Sequence, residues 1–139
     1  MNPVPQANAP TLYERLGGRA GLERLLTRFY ERARTDEILG PIFGAHVQDW
    51  ESHLQTVTDF WSNHTGGPVV YRGGMGKHLR LGLSPEHFER WLGLWEWNAS
   101  NEVDEEAARE LVAIARHVAR NLAAMSAQMS ALEIDGRKA

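Results

Sequence analysis

An all-α fold follows from three properties of the chain. Every segment with a strong hydrophobic period repeats at the three-to-four-residue spacing of a helix, and no run alternates apolar and polar residues as a half-buried strand would. The breaks between periodic segments are helix punctuation, with Ser, Thr or Asp ahead of a stripe and Gly or Pro behind it. At 139 residues the chain suits one domain that buries a core without staples.

Residues 1–10 contain three prolines and, Val4 apart, no large apolar side chain, so they read as a frayed tail; the polar residues 133–139 read the same way. The folded domain is expected over 11–132. Thr11 caps a short helix, with Glu14 three residues on as its capping-box partner and Gly17-Gly18 as its end. Leu22, Leu25, Leu26, Phe29 and Ala33 then form one apolar stripe that predicts a helix over about 19–34, with Tyr30 beside the stripe.

Residues 36–43, with Gly40-Pro41, read as a turn or a single helical turn. Trp50, His53, Leu54, Val57, Phe60, Trp61 and His64 predict a helix over about 48–64, which Gly66, Gly67 and Pro68 stop. Residues 65–76 hold five glycines and one proline and read as loop. Ser84 at N-cap and Pro85 at N1 open the next helix, with His87 where a capping box prefers Glu, and Phe88, Trp91, Leu92 and Trp95 share one face. Asp104 caps the last and longest helix, whose stripe runs through Ala107, Leu111, Ile114, Ala115, Val118, Leu122, Met125 and Met129.

The composition excludes several function classes. Cysteine is absent, so disulfides, thiolate metal sites, iron–sulfur clusters and cysteine nucleophiles are out, while haem held by an axial His remains open. Fifteen basic and 18 acidic residues are spread without a basic block, which argues against nucleic acid as a partner. No positive n-region, h-region or apolar run of about 18 residues is present, so no membrane segment is expected and a soluble cytoplasmic protein is the default. No H-E-x-x-H pair, phosphate loop or G-x-S-x-G elbow occurs.

The chemistry concentrates on a few residues. His53 lies on the apolar face of its helix, where an imidazole without a partner costs about 1–3 kcal/mol, so it is either a core histidine bonded to a carbonyl or part of a site. His78, in the run MGKHLRL over 75–81, reads alone as a surface histidine; as a metal ligand it needs a lone pair aimed into an apolar cavity and a partner for its other nitrogen. Tyr30 either keeps its hydroxyl in water or, if turned inward, offers a donor to a polar diatomic. All five tryptophans fall on helices, where core filling is the simplest account, although an indole N–H facing a cofactor would add a second donor.

Taken in order, LYERLGG (12–18), Phe29-Tyr30, Pro41-Ile42-Phe43, Trp50 with His53, Lys77-His78-Leu79 and Phe88 with Trp91 make the chain resemble the truncated haemoglobins, the two-over-two globins, most closely their third group. The diglycines Gly17-Gly18 and Gly66-Gly67 are instead similar to those that end helices in the first two groups. The resemblance spans about Leu12 to Met129. It implies a two-over-two helical sandwich around haem b (iron protoporphyrin IX), with His78 as proximal iron ligand. It further implies Tyr30 and Trp91 as distal donors, Phe43 packed on the haem face, His53 as the distal or gating histidine and Val57 lining the distal side. Lys77 or Arg80 would pair with a haem propionate at the rim.

Three functions are compatible with that resemblance. The first is reversible binding of dioxygen, with nitric oxide, carbon monoxide or peroxide as other small ligands. The second is a haem enzyme of the peroxidase or nitric-oxide dioxygenase type, which in a chain without a reductase domain needs a separate electron-donor reductase. The third is a gas or redox sensor in which His53 competes for the iron.

Overall fold

The computed structural model describes residues 9–72 and 83–138, and among them the only regular elements are six helices. These are α1 (Leu12–Arg15), α2 (Gly18–Thr35), α3 (Gly40–His46), α4 (Trp50–His64), α5 (Pro85–Glu102) and α6 (Glu105–Lys138). The predicted caps form. Thr11 Oγ1 accepts the N–H of Glu14 at 3.1 Å, and Asp104 accepts that of Ala107 at 2.9 Å. At the start of α5 the backbone N–H of Ser84 donates to Nδ1 of His87 at 2.8 Å, so the imidazole does what a glutamate does in the usual box.

Two helix pairs make the body of the molecule: α2 lies against α4, α5 against α6, and α2 also meets α5. The α5–α6 pair is a hairpin joined by Val103 and Asp104 alone. The α2 stripe is buried as its period predicts, with Leu22, Leu25, Leu26, Phe29 and Ala33 in the core. Asn98 is also fully buried and joins α2 to α5, donating to the Leu25 carbonyl at 3.2 Å and accepting from Arg32. On α4, Thr58, Trp61 and Ser62 are buried, as is Thr65 at its C-cap. Each of the three buried hydroxyls is satisfied by a carbonyl at 2.7 Å: Leu54 for Thr58, Pro68 for Ser62 and Trp61 for Thr65.

Four expectations change. Residues 40–46 are a two-turn helix rather than a single turn: Pro41 fits its first turn, where no N–H partner is needed, and Asp36 organises the approach by accepting from the N–H groups of Ile38 and Leu39 at 3.0 Å each. His64 is exposed, because the buried side of α4 is the Thr58–Ser62 side rather than the predicted stripe. Trp97 is not core. The residue is 55% exposed, with the Arg32 guanidinium over its ring at 4.4 Å, an indole covered by a cation instead of by packing. Finally, the backbone of α6 is helical to Lys138, through the segment read as a tail.

Candidate functional site

A cavity of about 470 Å³ opens between α2, α3, α4, α5 and α6. Its position explains why α3 has no buried residue although it carries Ile42 and Phe43: the inward face of that helix borders the cavity instead of a filled core. Val118, Ala119 and Leu122 of α6 form the floor, and Leu83, Phe88 and Trp91 form the wall at the start of α5. The rim on the α3–α4 side is polar, with His46, Gln48, Asp49, Ser52 and Thr56.

Tyr30, Phe43, His53, Val57 and Trp91, which the sequence nominates from four separate stretches, all line this one cavity. The residue beside the α2 stripe has turned inward. The Tyr30 ring meets His53 edge-on at 5.1 Å and Phe43 at 5.5 Å, with Trp50 at 5.8 Å. Its neighbour Phe29 fixes the other side, edge-on at 5.1 Å, and is itself only 1% exposed. Burial pushes the Tyr30 phenol well above its usual range, so it stays protonated and remains a donor at physiological pH. Trp50 closes the cluster from outside and has the Arg34 guanidinium over its ring at 4.3 Å.

Lys77, His78 and Arg80 lie outside the described residues. Sequence reasoning missed Phe60, Tyr71 and Leu39 as lining residues, and it gave His87 only a capping role. Phe60 was within reach, since it falls on the Val57 face one turn later. The polar rim was also legible as Asp49, Ser52 and Thr56, a stripe beside His53 at helical spacing. Tyr71 had no such signal: it follows a Gly-Pro loop whose path depends on Asn63, which accepts from Val70 N–H and Tyr71 N–H at 2.8 and 3.1 Å and donates to the Tyr71 carbonyl at 2.8 Å.

His87 also borders the cavity, and its tautomer follows from the helix cap. Its Nδ1 accepts from Ser84, so in the neutral ring Nε2 carries the proton and is a donor, not a lone pair for a metal. Among the described residues no group of three His, Asp or Glu side chains could hold a metal ion. A flat apolar ring system with a polar edge fits the chamber, whose inner walls are aromatic or aliphatic and whose polar groups gather at one rim.

The bacterial-like globin family model matches residues 11–129. The chain is 34% identical over 104 residues to "Group 3 truncated hemoglobin ctb" of Campylobacter jejuni, covering 70% of this chain and 82% of that one. Among solved structures, the group III truncated hemoglobin of Campylobacter jejuni superposes with a TM-score of 0.72 at 32% identity, over 78% of this chain and 90% of the other. The 2/2 hemoglobin of Synechococcus sp. PCC 7002 superposes with a TM-score of 0.73 at 25% identity, over 82% and 98%.

Proposed function

The chain belongs to the bacterial-like globins with the truncated two-over-two fold, and from that premise we propose that it is a haem protein that reversibly binds dioxygen and similar diatomic ligands. The family implies the haem; its type, haem b, and the residue roles are our reading. The observation that supports it most is the convergence of Tyr30, Phe43, His53, Val57 and Trp91 on one apolar cavity. When bound, haem supplies an iron centre that takes up small ligands.

In this reading His78 holds the iron from the segment before α5, and the tautomer that the cap imposes on His87 leaves that nearby imidazole unsuited to compete. Tyr30 and Trp91 each direct a donor into the cavity toward a ligand that gains negative charge at its outer atom. The raised phenol keeps Tyr30 in the donating form. His53 stands between Tyr30 and the polar rim and controls entry, Phe43 packs on the macrocycle and Val57 limits the distal space. Lys77 or Arg80 would meet the propionates.

Titration with haemin tests the proposal. One equivalent should give a sharp Soret band in the wild type, and Val57→Trp, which fills the distal space, should take up little haemin while remaining helical. Absence of stoichiometric uptake by the wild type would end the haem reading.

A second reading, a peroxide-consuming enzyme with a separate electron donor, is favoured by one observation: a row of stacked indoles borders the cavity.

A further inference from the structure

The first half of α5 has no anchor in the core. The helix buries Trp95, Asn98 and Ala99, all in its second half, and no residue from Pro85 to Leu94. The cavity is the reason: Phe88 and Trp91 line it, so their side of the helix borders open space instead of packed side chains. Ser84 and His87 cap the helix, but a bond between residues three apart fixes only the first turn and leaves the helix free to lean. Trp91 meets α2 through the edge of Phe29, with ring centroids 6.3 Å apart, a contact too weak to hold a helix alone.

Among the described residues one hydrogen-bonded contact leads from this half of α5 to another element. Arg90, the neighbour of Trp91 in the chain, donates from Nε to Oδ1 of Asp36 at 2.7 Å, and its Nη2 stands 2.5 Å from the same oxygen. The other carboxylate oxygen, Oδ2, accepts the N–H groups of Ile38 and Leu39 at 3.0 Å each. The Asp36 side chain is 3% exposed, against 50% for Arg90. The carboxylate is therefore the fixed partner, locked to the approach to α3, and the guanidinium reaches to it from α5. A planar guanidinium held at two nitrogens fixes an angle as well as a distance, which a point charge does not. Leu39, Ile42 and Phe43 line the cavity from the α3 side, and Phe43 packs on Tyr30 at 5.5 Å. One carboxylate thus ties the wall that backs Tyr30 to the helix that carries Trp91.

We propose that Arg90 and Asp36 are positioning residues for the distal side: they hold Trp91 at a set distance from Tyr30, so that both donors reach one small ligand, and thereby set how long dioxygen stays bound. The inference rests on the haem reading above and on its assignment of Trp91 as a donor. Neither Arg90 nor Asp36 lines the cavity, so their influence runs through the lean of α5. A hydrogen bond weakens steeply once its angle or distance leaves the normal range, so a small outward tilt of the first turns of α5 loses the Trp91 bond while the helix and the cavity persist.

A double-mutant cycle in dioxygen release tests the inference, read by stopped-flow displacement on the haem-loaded full chain. Arg90→Gln should speed release about three- to tenfold, no more than Trp91→Phe does, because it weakens the hydrogen bond without deleting its donor. Added to Trp91→Phe it should change nothing further, and Arg90→Lys should fall between Arg90→Gln and wild type. The infrared C–O stretch of the carbonyl form is a readout that a general loss of stability does not move. Arg90→Gln should raise it toward the Trp91→Phe value, and leave it unchanged where residue 91 is already Phe. An unchanged release rate in Arg90→Gln, or the same acceleration with Trp91 present and absent, would overturn the inference and leave the haem reading in place. An unchanged rate in Trp91→Phe would do the same. A chain that takes up no haemin overturns both. If Arg90→Gln does not fold, Arg90→Lys carried through the same cycle decides.

Discussion

Tyr30 shows how far one side chain can be read without a structure. Its spacing places it at the edge of an apolar stripe, where the hydroxyl could face water or the interior, and only the packing of α3 and α4 against α2 decides for the interior. A hydrogen bond to a partly charged acceptor contributes about 1.5–3 kcal/mol, so Tyr30→Phe should speed dioxygen release by roughly ten- to a hundredfold in stopped-flow displacement; an unchanged rate would remove that role. Asn98 is the opposite case, a buried polar residue that no pattern singled out. Asn98→Ala leaves the Leu25 carbonyl and Arg32 without their shared partner and should cost about 1–3 kcal/mol, read as a lower denaturant midpoint with unchanged slope. The tryptophans divide for a similar reason: helical spacing alone does not tell Trp95, stacked in the core, from Trp97, exposed on the same helix with Arg32 over its ring.

Among the elements, helix starts were the most legible parts of the sequence, because a cap is a local bargain between one side chain and one or two orphan N–H groups. Thr11, Ser84 and Asp104 all flank helices that begin where they stand. The α1–α2 corner was less legible. Gly17 has φ 98°, and a Cβ on Gly21 would lie 1.8 Å from the Leu16 carbonyl oxygen, so the two helices meet through a glycine inside α2 and not only through the diglycine turn. Gly21→Ala should therefore destabilise the fold despite the better helix propensity of alanine, and thermal melts would show it; a raised Tm would refute the close contact.

The turn into α3 depends on Asp36, whose carboxylate is held below its usual range chiefly by the Arg90 guanidinium of α5, with help from the N–H groups of Leu39 and Ile38. A depressed carboxyl pKa gives stability that is present above about pH 4 and lost as pH falls through the folded-state value. Asp36→Asn should thus be less stable than wild type at neutral pH, with the difference shrinking in acid; a constant difference from neutral pH to the acid range would contradict the pairing.

For the molecule as a whole, the helical class and the order of the helices were contained in the hydrophobic period, and five of the cavity residues in short motifs whose order matched a family. The shape that unites them was not. Whether a stripe covers a solid core or the wall of a chamber depends on how the second helix pair sits over the first, which periodicity does not encode; hence α4 buries Thr58 and Ser62 and turns His53, Val57 and Phe60 toward the cavity. Among the described residues no helix is long and apolar enough to cross a membrane.

The central claim is a haem in that cavity held by His78. It is tested most directly by comparing ferric, ferrous and ferrous–carbonyl absorption spectra of the haem-loaded wild type with those of His78→Ala. The account predicts histidine-ligated Soret and visible bands in the wild type that collapse in the variant and return in part when imidazole is added. Identical spectra in the two proteins would show that another residue holds the iron and would contradict it.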